Sequence, residues 1–204
     1  MASGRSRREL VVTDGQIAAW SAEPAVIALL LLWGIGEAIA LPIVPDVLLG
    51  LMALASPAAL GAPLAAAIIG GVLGAIALRA LLRVRPSLVR RILDVQPGIG
   101  TQGMAEARRR IEAGAIQAFA QIGPGLPLKA YVATLLQVDP ASGHARVATL
   151  ALVNRISRLL PVVAAFALVG LAGRAAGLSP AALVPAYAVG WTAFYLVFWW
   201  IRRG

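Results

Sequence analysis

Apolar positions in this chain gather into long continuous runs. They do not form the alternations or narrow stripes that mark half-buried strands and surface helices. Residues 63–82 are apolar at the ~20-residue length that a bilayer core demands of a helix. Residues 147–172 and 180–201 are two further spans. The last ends in Phe194, Tyr195, Phe198, Trp199 and Trp200 beside Arg202 and Arg203, the composition a membrane–water interface selects. Two more runs, 25–55 and 113–138, are each interrupted midway. Residues 1–24 are polar and read as a cytoplasmic tail with a short amphipathic stretch near 10–20. The pattern predicts an all-α integral membrane protein with three or more transmembrane helices. Residues 25–204 form one membrane domain: a first half (25–82), an arginine-rich loop (83–112), a second half (113–172) and a C-terminal span (180–201).

Composition narrows this reading. Apolar residues make up 60% of the 204 and charged residues 13%, against about 45–50% and about 25% in soluble domains. Mean hydropathy is +0.84. Such a chain cannot cover a soluble surface, and with no cysteine it is not a disulfide-stapled secreted domain. Ala53-Leu54-Ala55 has the look of a signal-peptidase site, but Glu9, Asp14 and Glu23 spoil a basic leader and Glu37 and Pro42 interrupt the apolar run.

The net charge is +9, from 18 basic and 9 acidic residues. Few aromatics interleave with the basic runs, so no base-stacking surface and no nucleic-acid partner is expected. The arginines set topology instead. Arg83, Arg85, Arg90, Arg91, Arg108, Arg109 and Arg110 place the loop 83–112 on the cytoplasmic side, with the C-terminus beside it. Residues 104–113 form a helix expected to lie on the membrane surface. Gly98-Ile99-Gly100-Thr101-Gln102-Gly103 matches G-x-G-x-x-G, but no strand precedes it, so it marks no nucleotide site.

The interruptions carry the chemistry. Pro42-x-x-Pro45 and Pro124-x-x-Pro127 share a motif, offset by 82 residues at both prolines. Each is followed by a charge, Asp46 or Lys129, and then by an apolar half-helix, 47–55 or 128–138. Proline removes a donor and drives the preceding residue out of the α region, so two prolines three apart unwind a helix. Unwound backbone cannot face lipid. Paired broken segments in two halves of a chain point to a transporter site at their interface.

Intramembrane charges cost about 2.5–3.5 kcal/mol each on insertion scales and are rare unless paired or functional. Glu37 stands among apolar neighbours, and Lys129, the only lysine, follows Pro127. Each is a candidate partner for the other. Asp46 opens a half-helix, where the positive helix end suits a carboxylate. Arg155 and Arg158, three apart, share a helix face and either snorkel to the interface or face the cavity. Gly70-x-x-x-Gly74, with Gly71, reads as close helix packing. His144, the only histidine, is expected to be exposed. No metal or nucleophile constellation is present, so neither enzymatic activity nor a cofactor is expected.

The stretch Glu37-x4-Pro42-x-x-Pro45-Asp46-x-Leu48-Leu49 resembles the first motif of the DedA (SNARE-associated, VTT-domain) membrane protein family. Gly70-Gly71-x-x-Gly74-Ala75 is similar to that family's glycine segment. Phe119-x-x-x-Gly123-Pro124-x-x-Pro127-x-Lys129 resembles its second re-entrant motif, in the P-x-K form of shorter members, and Arg155-x-x-Arg158 the arginine pair that follows. Lys129 stands where many members have arginine, with Gln121 aligned to another. The resemblance spans about residues 30–172. It implies an inverted repeat with two oppositely oriented re-entrant hairpins in a bacterial cytoplasmic membrane. It also implies proton-linked flipping or scrambling of lipids, undecaprenyl phosphate among them.

Together these readings predict a lipid flippase or scramblase. A phosphate headgroup docks on Lys129 and on the half-helix ends at Pro45 and Pro127, with Gly123, Gly125, Arg155 and Arg158 around it. Glu37 and Asp46 exchange the proton. A proton-coupled small-molecule or cation exporter and a non-transporting scaffold are the alternatives. Either transporter requires Glu37, Asp46 and Lys129 to converge on one cavity, whereas their scattering onto lipid-facing or packing surfaces favours the scaffold. The partners are a phospholipid or polyprenyl phosphate, the bilayer, and, as a candidate, a second copy of the chain. A cytoplasmic tail and a cytoplasmic loop leave two topologies open: the first zone is a broken traverse, or the N-terminus is outside.

Overall fold

The computed structural model describes residues 14–96, 99–120 and 125–201. Within them the chain is helical, and no strand occurs among the described residues. In order come α1 (Asp14–Ser21), α2 (Pro24–Ile39), α3 (Asp46–Ala55), a 3₁₀ turn (Pro57–Ala59), α4 (Gly61–Val84), α5 (Pro86–Asp94), α6 (Thr101–Ala113), α7 (Ala115–Phe119), α8 (Leu128–Val138), α9 (His144–Ala175) and α10 (Pro180–Ile201). Two of these, α4 and α9, are long and apolar enough to cross a membrane. Large apolar side chains cover the outside: Leu160, Leu168 and Leu171 on α9 and Val189, Leu196 and Val197 on α10 are exposed. That surface is compatible with a lipid surround.

The first interruption falls where its proline pair predicts, and α8 begins directly after Pro127. α2 stops at Ile39 and α3 restarts at Asp46, with Pro45 as its N-cap. α8 starts at Leu128, with Pro127 as N-cap in extended geometry. The limb before the second break is shorter than that before the first, because α7 holds only 5 residues. Gly123, Pro124 and Gln121 lie outside the described residues, as do Gly98 and residues 1–13 of the tail.

Glycine sets how the helices run. A side chain on Gly70 would meet the backbone of Leu31, and one on Gly74 the backbone of Ile35, so α2 and α4 touch main chain to main chain. One turn along α2 matches one turn along α4, and the two helices are parallel. Gly71 of α4 meets Arg155 of α9, whereas Arg79 meets His144, so α4 and α9 are antiparallel. Asp46 pairs with Arg158 and Leu54 abuts Gly170, so α3 runs parallel to α9. α3 therefore runs opposite to α2, and the chain doubles back at the first break.

The core has two parts. One lies between α2, α3, α4 and α9, around Leu30, Leu49, Met52, Ala67 and Leu159. The other surrounds α8, whose residues from Leu128 to Leu135 are all buried against Leu78, Ile111, Phe119 and Val147. Over that stretch α8 is enclosed on all sides, its one charge, Lys129, included.

The loop helix, expected at 104–113, is α6. Its arginines pair along the helix: Arg108 with Glu112, and Arg109 and Arg110 with Glu106. Hydrogen bonds from Arg110 and Arg109 hold the Glu106 carboxyl below its ordinary value.

Candidate functional site

In the first break, between Ala40 and Pro45, the i→i−4 hydrogen-bond ladder is interrupted, and each freed group needs a partner. The amides of Ala40 and Leu41 both donate to Gly36 O. Three side chains take the carbonyls left over. Gln96 donates from Nε2 to Ala40 O at 2.5 Å, Trp33 from Nε1 to Ile43 O at 2.9 Å, and Lys129 from Nζ to Leu41 O at 2.7 Å and Glu37 O at 3.2 Å. On the far side the Val44 amide donates to the Tyr195 hydroxyl at 3.3 Å, and the Tyr187 hydroxyl donates to Val47 O. The unwound segment is held by residues from α2, α8, α10 and the loop after α5.

Lys129 therefore corrects one expectation. Its ammonium does not pair with the Glu37 carboxylate; it caps the carbonyl end of α2, where a cation satisfies orphan acceptors. The carboxylate pairs instead with Arg155, whose Nη2 donates to Glu37 Oε2. Both side chains are fully enclosed. Arg155 reaches across α4 because Gly71 has no side chain in its path. Beside Arg155, Asn154 donates from Nδ2 to Phe119 O at 2.9 Å, tying α9 to the end of α7.

The two arginines left open by the sequence both face inward. Arg158 stands with Nε 3.7 Å from Asp46 Oδ2, a close charge pair longer than a hydrogen bond. Buried donors and acceptors remain unmatched among the described residues: Asp46 Oδ1, Asn154 Oδ1, and Nε and Nη1 of Arg155. Glu37 feels the charges of Arg155, Arg158 and Lys129, and Asp46 those of Arg158, Glu37 and Arg155. With all five ionised, three cations and two anions leave the cluster one positive charge in excess.

Two openings meet at Arg158. A small cleft of about 60 Å³ is lined by Glu37, Pro42, Gln96, Gly125, Pro127, Arg158 and Tyr195. A larger groove of about 510 Å³ runs between α9 and α10, with Asp46 and Arg158 at one end and Phe166, Tyr187, Trp191 and Phe194 along it. Of the predicted site residues, Glu37, Gly125, Pro127 and Arg158 line the cleft and Asp46 the groove. Lys129 and Arg155 stand behind them, and Pro45 is buried as the α3 cap. Glu37, Asp46 and Lys129 thus belong to one charge cluster but do not share one cavity: Glu37 lines the cleft, Asp46 the groove and Lys129 neither.

Several contributors escaped the sequence reading. Tyr195, taken there as part of an interfacial aromatic belt, turns inward to the break. Tyr187, Trp191 and Tyr195 follow one another at four-residue intervals, the helical signal that marks the face. Gly71 was read only as packing. Arg79 was given no role from the sequence; it is buried, donating from Nε to Ser142 O at 2.8 Å, with Nη1 3.0 Å from Nε2 of the exposed His144.

Comparison with protein-family models, with curated proteins and with solved structures returned no match to this chain.

Proposed function

We propose that this protein is a multi-pass membrane transporter that moves a phosphate-bearing lipid between leaflets, coupled to proton exchange. One observation carries the reading. A buried cluster with an excess positive charge, built on unwound backbone, opens at Arg158 into both a small cleft, where Glu37, Gln96 and Arg158 supply polar groups among apolar walls, and a larger apolar groove. A polar headgroup and a hydrocarbon chain require those two environments side by side. The motif resemblance to the DedA family points the same way and implies a bacterial cytoplasmic membrane.

The arrangement of the halves supports an inverted repeat with two re-entrant hairpins. α3 of the first half packs on α9, and α8 of the second half packs on α4. The doubling back of α2 and α3 supports the first hairpin, and α2, parallel to α4, begins on the side where α4 begins.

In this reading the arriving phosphate displaces Asp46 as the counter-ion of Arg158. Asp46, left without a cation in a buried site, takes up a proton, since an isolated buried carboxylate is costly. Headgroup departure reverses the exchange. Glu37 stays paired with Arg155 and holds α2 to α9, while Lys129 keeps the cradle of unwound backbone in shape. The test is flipping of a fluorescent phosphate-bearing lipid in proteoliposomes. Flipping by the wild-type protein and its loss in Arg158→Gln is the expected result. Wild-type vesicles that flip no faster than empty ones would refute it.

A further inference from the structure

The geometry points to a pH-operated latch: Arg79 and His144 join α4 to the turn between α8 and α9 only while the imidazole is neutral, and acid on that side of the protein releases the turn. The turn, 139–143, carries its own clasp. Asp139 Oδ2 accepts from the Ser142 hydroxyl at 2.9 Å and pairs with Arg146 at the start of α9. Two arginines from the last two turns of α4 hold it from outside. Arg83 donates from Nη2 to Pro140 O at 3.3 Å, and Arg79 from Nε to Ser142 O at 2.8 Å. Arg79 is 4% exposed and makes no ion pair among the described residues. Its other partner is Nε2 of His144, 3.0 Å from Nη1.

A guanidinium donates and cannot accept, so the imidazole must offer a lone pair at Nε2 and keep its proton on Nδ1. Protonation turns that acceptor into a donor and sets two cations against each other. Imidazole is the side chain whose charge ordinarily changes between pH 5 and 8. The surroundings do not offset the new charge. The cations are Arg79 and Arg83 from α4, Arg146 from α9, and Arg90 of α5, which lines one cavity with Arg83 and Pro140. Against them stand Asp139, already held by Ser142 and Arg146, and Asp94 in the wall of that cavity. His144 is exposed and swings into water once charged. The buried guanidinium is then short of an acceptor, which is costly, and it leaves the Ser142 carbonyl for water.

The chain has one histidine and no cysteine, so both parts of the latch can be read in the full-length protein in detergent. NMR of wild-type protein labelled at the histidine ring nitrogens should show, at pH 8, a protonated Nδ1 and a bare Nε2. Release is read as modification of Ser142→Cys, a buried position, by a neutral thiol reagent. Its rate is divided by that of Ala141→Cys, an exposed position, to cancel the pH dependence of the thiol chemistry. Loss of one charge-assisted hydrogen bond predicts that this ratio rises at least about tenfold from pH 8 to pH 5. Adding His144→Gln, which accepts a hydrogen bond but never charges, keeps the ratio low at both pH values. Adding His144→Lys, charged at both, keeps it high at both. A protonated Nε2 in the wild type at pH 8 overturns the latch, whatever the variants do. So does a ratio that is equal at pH 8 and pH 5, or one that rises just as much with His144→Gln in place.

Discussion

Arg155 passes through the space that Gly71 leaves empty to reach the carboxylate of Glu37. Three helices meet at that point: α9 supplies the cation, α4 the gap and α2 the acid. Sequence separation hides the relationship, since the charged partners stand 118 positions apart.

Gly71→Val should therefore act as a charge mutation. It pushes Arg155 aside and leaves Glu37 buried without a partner. Breaking a buried pair by removing one member costs about 3–5 kcal/mol. In thermal unfolding in detergent, Gly71→Val and Arg155→Ala should each be strongly destabilised, and Glu37→Gln in the Arg155→Ala background should recover part of the loss. If Glu37→Gln deepens the defect instead, the two groups are not a pair.

Lys129 should behave as a structural residue. Its two hydrogen bonds end on the carbonyls of Glu37 and Leu41, and each charged hydrogen bond is worth about 1.5–3 kcal/mol. Lys129→Met should lower the unfolding midpoint and speed amide exchange at Ala40 and Leu41. Its effect on phosphate-lipid affinity, measured where the variant is folded, should be small beside that of Arg158→Gln. A folded Lys129→Met with intact exchange protection and abolished lipid affinity would restore lysine as the headgroup anchor.

The loop helix offers a pH test. Glu106 is held below its ordinary value of 4.5 by Arg110 and Arg109. A depressed carboxyl contributes stability that is present above the unfolded value and disappears as pH falls through the folded one. Amide exchange in α6 should accelerate below about pH 4.5, and added salt should mimic the change, because these pairs are exposed. Glu106→Gln should show the faster exchange already at neutral pH. Unchanged α6 exchange in Glu106→Gln would mean that the pairs add nothing to the helix.

Much of the fold was legible because backbone chemistry wrote it locally. Pro42, Pro45 and Pro127 announced the breaks, and the half-helix at 128–138 begins and ends where the structure has it. Glycine spacing at Gly70 and Gly74 announced close packing without naming the partner helix. Pairing was not legible. Glu37 and Lys129 are neighbours, yet the lysine turns to carbonyls that only the unwound geometry exposes, and the acid meets an arginine arriving from across a third helix. The aromatic end of α10 was misjudged for a related reason. Interface composition and an inward helix face look alike until the Tyr195 hydroxyl finds the Val44 amide.

Proton coupling at Asp46 is the central claim, and lipid flipping under an imposed pH gradient tests it most directly. Proteoliposomes carrying a fluorescent phosphate-bearing lipid and an internal pH dye report both movements together. The wild-type protein should flip at a rate that depends on the gradient, with proton movement alongside. Asp46→Asn, which stays neutral at every pH, should flip independently of the gradient and move no protons. A gradient response in Asp46→Asn equal to that of the wild type would contradict the account.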